Sequence, residues 1–251
     1  MVATSHLDTQ WRWTIQETVA DYLLRPLDDN FALLEQYPDY VFSFEGAFRY
    51  QLMQEYYPER FARMREYVHE GRWRVCGSWL DAVDVNMPSP ESLFRHALYG
   101  NGWFRRELGT ESVDVYLPDC FGFGWALPSV AAHCGLAGFS GQKFRKWGGE
   151  TPFAIGLWRG PDGRGVVAAL RPEGYGEGLD EDLSRAERWV QWLKEQGRRS
   201  GLELGYKYVG IGDRGGGLPE EAVRKIGESL GGDGPIQVEH GASDRLFLDL
   251  S

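Results

Sequence analysis

Short apolar runs alternate with longer amphipathic stretches along this chain, and that alternation constrains the fold more than any other feature. Met1–Ser5, Tyr40–Phe44, Trp73–Cys76, Val113–Leu117, Gly138–Ser140 and Lys207–Ile211 read as short strands. Helices are expected from about Thr14, over Phe48–Tyr56, Pro58–Glu70, Pro128–Cys134, Leu183–Gly197 and Pro219–Leu230. A long helix opens at Ser89-Pro90-Glu91 and runs to about Glu107. Serine there suits the cap, proline the first helical position and the acid the first turn. Ile155–Trp158 and Val166–Leu170, joined across Gly160-Pro161-Asp162-Gly163, read as a hairpin, and Ile236–Glu239 as a last short strand. Strands alternating with helices imply an α/β fold with a mainly parallel sheet and helices on the outside. In such folds ligands bind beyond the C-terminal ends of the strands.

The polar clusters of the sequence fall at those ends. His6 and Asp8 follow the first strand, Asp84 and Asn86 lie near the third, and Asp119 follows the fourth. Lys143 and Arg145 follow the fifth, and Asp213 a later one. The only linker-like run, Gly231-Gly232-Asp233-Gly234-Pro235, is too short to separate domains, so residues 1–251 are expected to form one α/β domain.

Composition removes several function classes. The chain carries 27 Lys+Arg against 37 Asp+Glu, a formal charge of −10, with no basic block. It is a poor candidate for nucleic acid or an anionic membrane surface. No run approaches the ~18 apolar residues of a membrane span, and the first residues lack the pattern of a signal peptide. Three widely spaced cysteines, Cys76, Cys120 and Cys134, form no metal-binding or disulfide pattern and suit a reduced, cytoplasmic setting. Ten tryptophans suit stacking on sugar faces, and equally a large aromatic core.

Three motifs can carry chemistry. His6-Leu7-Asp8 offers an imidazole nitrogen and a carboxylate at a turn, a usable zinc pair, or else a buried histidine bonded to its neighbour. Asp119, in a turn bounded by proline, glycine and aromatics, suits a nucleophile, a metal ligand or a helix cap. Asp213 sits in the glycine-rich Gly212-Asp213-Arg214-Gly215-Gly216-Gly217. That loop could wrap a ligand and present a general acid/base, or be an ordinary turn; it lacks the Lys-Ser/Thr of a phosphate loop.

Taken in order, HLDTQWRWT, GRWRVCGSWLDAVDVNMPSPESLFRHALYG, DVYLPDCFGFGWALPSVAAHCGLAGFSGQKFRKW and YVGIGDRGGGLPEE resemble the N-terminal catalytic domain of glycoside hydrolase family 38, the class II α-mannosidases. The resemblance covers nearly the whole chain and implies a parallel sheet or incomplete β/α barrel. It implies retaining hydrolysis of α-mannosides or mannose-containing oligosaccharides. One zinc ion would be held by His6, Asp8 and Asp119; such a donor set also accepts cobalt or calcium. Asp119 is matched to the covalent nucleophile, and Trp11 and Phe121 to aromatics around the sugar. Lys143 and Asp84 are placed with the substrate, and Asp213 is the expected acid/base, with Asp84 as the fallback.

The resemblance further implies a later histidine ligand, a helical bundle and β-sandwich domains, none of which is recognisable before Ser251, so the chain reads as a piece of a longer enzyme. His69, His96, His133 and His240 are expected to be structural. A rival function is an inactive fragment that binds only metal or sugar. A second is a metal-dependent carbohydrate deacetylase, which usually wants a His-x-x-x-His pair that this chain lacks.

Overall fold

A computed structural model of the chain describes residues 1–144, 151 and 153–251. Two four-stranded sheets form its frame. The first has β1 (Val2–Ser5) and β2 (Phe42–Glu45) at its centre, flanked by β3 (Trp73–Cys76) and β8 (Tyr208–Ile211), in the order β3-β2-β1-β8. The second runs β4 (Asp114–Tyr116), β5 (Gly138–Ser140), β7 (Gly165–Ala169), β6 (Ile155–Arg159). Every described pairing between these strands is parallel except the β6–β7 hairpin, and a single antiparallel bridge joins Leu7 to Arg214 beyond β1 and β8. β1, β2 and β4 are buried at every position, their polar residues Thr4, Ser5, Ser43, Glu45 and Asp114 included, because both faces of these parallel strands are covered.

The two sheets do not close into a continuous barrel, but loops bridge them on both flanks. Ser78 N–H, just past β3, donates to the Asp114 carbonyl at 2.9 Å. On the other flank Tyr208 and Gly210 of β8 donate to Pro172 and Glu177, in the segment after β7, each at 2.9 Å. The C-terminal ends of the parallel strands are thereby gathered on one side.

Helices cover the outside. Thr14 opens α1 (Ile15–Glu17) with a capping box to Glu17, and a π-helical turn (Thr18–Tyr22) leads into α2 (Leu24–Gln36). α3 (Ala47–Tyr56), α4 (Pro58–His69) and α5 (Pro90–Leu108) follow. Phe31, Phe42, Phe44, Tyr50, Trp73 and Phe104 meet in the core beneath them. Among the described residues α6 (Leu127–His133), α7 (Glu187–Ser200), α8 (Glu220–Leu230) and the short α9 (Arg245–Asp249) follow.

Two expectations need correction. Ile236–Glu239 is not a strand: the Ile236 amide donates to the Ser184 carbonyl at 3.1 Å and the Glu239 carbonyl takes the N-terminal ammonium at 2.6 Å, so no neighbouring strand is available. The helix expected from Leu183 begins at Glu187, because the Leu183 amide is held by Ser229 Oγ and the Ser184 amide by Asp182 in a turn.

Candidate active site

β1 ends at Ser5, and the next residues are held by β8 and the loop that follows it. His6 N–H donates to the Ile211 carbonyl at 2.8 Å and Asp8 N–H to the Asp213 carbonyl at 2.9 Å, while the Gly215 amide returns a bond to the His6 carbonyl at 3.0 Å. This exchange turns the chain so that His6 and Asp8 leave the strand toward one point. Asp119, two residues past the end of the Val115–Leu117 core run, arrives from the second sheet. One ligand atom each of His6, Asp8 and Asp119 lies within 4.8 Å of the others. The expected convergence of these three is present, and it joins the two sheets.

The donors suit a borderline cation. His6 Nδ1 bonds Glu45 Oε1, and His6 Nε2, buried, has no hydrogen-bond partner among the described residues. Nε2 instead faces Asp8 Oδ1 at 3.4 Å. An orphaned buried imidazole nitrogen beside two carboxylates fits a zinc-type ion, for which nitrogen and oxygen donors are usual. Burial alone would lower the His6 pKa, but the charge of Glu45 and the nearby Asp8 carboxylate outweigh it and raise it to about 10. The carboxylates around His6 thus favour positive charge at this point.

The other expected residues surround this point unevenly. Lys143 Nζ lies 2.5 Å from Asp119 Oδ1 and 4.8 Å from the centre of the Phe121 ring. Phe121 and Trp11 both expose more than half of their surface, free to meet a ligand face. Trp11 is braced edge-on against Trp13, with Arg12 stacked over it. Asp213 has φ +61°, a left-handed backbone that aspartate tolerates better than most residues. Its Oδ1 accepts from the Tyr175 hydroxyl at 2.9 Å. Asp84 is exposed and its carboxylate accepts the Asn86 amide at 2.9 Å. Arg145 lies outside the described residues. His240 is at the opposite, N-terminal end of the strands, accepting the Val41 amide at 3.0 Å; burial lowers its pKa to about 4.

Glu45, Arg49 and Tyr175 were not anticipated. Glu45 closes β2 and obeys the same strand-end rule as His6, so its signal was available. Tyr175 had none: it lies in a glycine-rich stretch, and only folding brings it to the site. Its ring stands edge-on to His6 at 5.1 Å. Its phenol pKa is raised by burial first and then by Asp119 and Asp213, both of which approach the hydroxyl. The phenol thus links the nucleophile candidate and the acid candidate.

A histidine and two carboxylates able to hold a cation, with a further carboxylate across one phenol, gather at the C-terminal ends of parallel strands, where α/β folds bind their ligands. The sequence is more specific. The model of the glycosyl hydrolases family 38 N-terminal domain matches residues 1–250, and the chain belongs to that family. It is 29% identical over 248 residues to alpha-mannosidase 2C1 of Mus musculus, covering 98% of this chain and 23% of that protein. Alpha-mannosidase G of Dictyostelium discoideum is 33% identical over 174 residues, covering 68% of this chain and 16% of its own. An alpha-mannosidase structure from Enterococcus faecalis superposes with a TM-score of 0.78 at 20% identity, covering 99% of this chain and 28% of that one. The chain thus spans between 16% and 28% of the length of these relatives. No described helix is long and apolar enough to cross a membrane.

Proposed function

We propose that the chain supplies the catalytic face of a retaining α-mannosidase, and the observation that carries this is the meeting of His6, Asp8 and Asp119 with Asp213 joined to them through Tyr175. The relatives' names supply the sugar: they are alpha-mannosidases. A zinc ion, or cobalt or calcium, held by His6, Asp8 and Asp119 would supply a Lewis-acid anchor for neighbouring hydroxyls of the mannose.

The chain's own groups then do the following. Asp119 attacks the anomeric carbon as the bond to the glycosidic oxygen breaks, leaving a glycosyl ester on Asp119. Asp213 gives its proton to the departing oxygen. In the second half Asp213 takes a proton from water, which attacks the same carbon and frees Asp119. Retention needs the two carboxyls about 5–5.5 Å apart, and two carboxylates approaching a single phenol suit that span. Lys143 holds the Asp119 carboxylate from the side and offsets its charge beside Asp8. Trp11 and Phe121 offer flat faces to the ring. The three cysteines are unpaired, which suits a reducing compartment such as the cytoplasm.

The test is turnover of an aryl α-mannoside and an alkyl α-mannoside by the zinc-loaded chain. Asp119→Asn should lose at least about 10³-fold on both. Asp213→Asn should lose far more on the alkyl substrate, whose leaving oxygen needs the proton. Equal loss on both substrates would remove Asp213 as the acid. Zinc binding without any turnover would favour a fragment that only binds metal or sugar.

A further inference from the structure

We infer that Glu45 and Arg49 are a positioning pair for the cation site: Glu45 fixes which nitrogen of His6 faces the ion, and Arg49 fixes the backbone between the two ligands of the His6-Leu7-Asp8 turn. The inference deepens the cation-site reading and rests on it.

Glu45 is the last residue of β2, which pairs with β1 so that Phe44 stands opposite Ser5. Glu45 and His6 therefore leave neighbouring strands side by side. Both are almost wholly buried, and Glu45 Oε1 is bonded to His6 Nδ1. A carboxylate in that place accepts the Nδ1 proton, so the lone pair is left on Nε2. Nε2 is the atom without a hydrogen-bond partner among the described residues and the one 3.4 Å from Asp8. With the carboxylate removed, either ring nitrogen could carry the proton, and the ring could turn.

Arg49 completes the arrangement from α3. Its guanidinium is 1% exposed and reaches three groups on different segments. Nε donates to the Leu7 carbonyl at 2.5 Å, the peptide lying between His6 and Asp8. Nη1 is 2.8 Å from Asp81 Oδ1, and Nη2 is 4.0 Å from Glu45 Oε1. Asp81 in turn accepts the Thr9 hydroxyl at 2.7 Å, one residue past Asp8. The turn carrying both ligands is thus tied at Leu7 and Thr9 through one buried cation. Gly46, at φ +77°, makes this possible: a Cβ there would collide with Arg49 Nη1. Neither Glu45 nor Arg49 belongs to the three-residue cation cluster, so both act through His6 and its turn.

The experiment measures zinc affinity of the metal-free full chain by competition with a chromophoric chelator, and reads the metal-bearing nitrogen of His6 from long-range proton–nitrogen NMR. In the wild type zinc should sit on Nε2 with Nδ1 protonated. Glu45→Ala should weaken zinc about 10–100-fold, the usual effect of losing a carboxylate behind a histidine ligand, and populate both ring nitrogens. Glu45→Gln, of the same shape, should shift affinity in the same direction by less, and carries the test should Glu45→Ala not fold. Arg49→Lys should weaken zinc while leaving the Nε2 assignment intact. A loss of fold stability with unchanged zinc affinity and a single His6 tautomer would overturn the inference. Wild-type zinc affinity in His6→Ala would overturn the cation site itself. Loss of zinc in His6→Ala with affinity within about twofold of wild type in both Glu45 variants would overturn only the positioning role.

Discussion

Tyr175 shows how one side chain can serve two carboxylates. Its hydroxyl proton goes to Asp213, 2.9 Å away, while Asp119 approaches from the other side and burial disfavours ionisation. A phenol kept neutral can donate to whichever carboxylate carries charge at a given stage. Tyr175→Phe removes that donor with little change of shape. A hydrogen bond to a charged group contributes about 1.5–3 kcal/mol, so kcat/KM on an aryl α-mannoside should fall roughly 10–100-fold with the fold unchanged. Activity equal to wild type would detach Tyr175 from the reaction. Phe121 differs in kind: its ring, more than half exposed, has the Lys143 ammonium 4.8 Å from its centre, a contact that a sugar on that side would share or displace.

At the scale of elements, α5 seats directly on the backbone of the loop that follows β3. Gly100 lies on the buried face of α5, and a Cβ there would collide with the Ser78 carbonyl and the Trp79 backbone. That contact lets the loop after β3 run close to the helix, where Leu80 N–H bonds the His96 carbonyl at 3.1 Å, and it carries Asp81 toward Arg49. Backbone cannot swing aside as a side chain can. Gly100→Ala should therefore destabilise by about 1–3 kcal/mol, the range for an overpacked core. Gly102, two residues on, has open space around its Cβ position. Gly102→Ala should stabilise by up to about 1 kcal/mol through helix propensity. Urea midpoints of the two variants should move in opposite directions; movement the same way would mean that the helix does not seat on that loop.

On the scale of the whole molecule, the seam between the sheets carries a buried acid. Asp114 opens β4, accepts the Gly77 amide at 3.1 Å and bonds Ser112 Oγ, and its carbonyl takes Ser78 N–H. Burial, and then the charge of Asp244, raises its pKa from 3.8 to about 7. The folded protein thus holds a proton there that the unfolded chain releases near pH 4. Between pH 4 and 7 the folded state binds more protons, so stability from this group is full at the acid end and lost as pH rises through about 7. Asp114→Asn removes that dependence. Unfolding free energies measured from pH 4 to 8 should fall more steeply for wild type than for the variant, by more than about 1 kcal/mol over the window. Parallel curves would show that the proton is not held at this seam.

Much of this was legible in the residues themselves. The strand–helix alternation is local, so the strands could be read within a residue or two, and Ser89-Pro90-Glu91 marked the start of α5 because caps act over one turn. The rule that polar groups gather beyond strand ends was enough to single out His6, Asp8, Asp119, Lys143 and Asp213. Three things depended on tertiary structure. Ile236–Glu239 had strand-like residues, yet its backbone groups found a loop and the N-terminus instead of a strand. Asp213 was the expected second carboxylate and Asp84 the fallback, but only in the folded chain does Asp213 meet Tyr175 while Asp84 accepts the amide of Asn86 in its own loop. Glu45 and Arg49 became partners of His6 only when β2 was laid beside β1. Strand order, and the close approach of segments far apart in the chain, are set by how buried surfaces fit together, and a linear pattern of apolar and polar residues carries no record of which strand will be the neighbour.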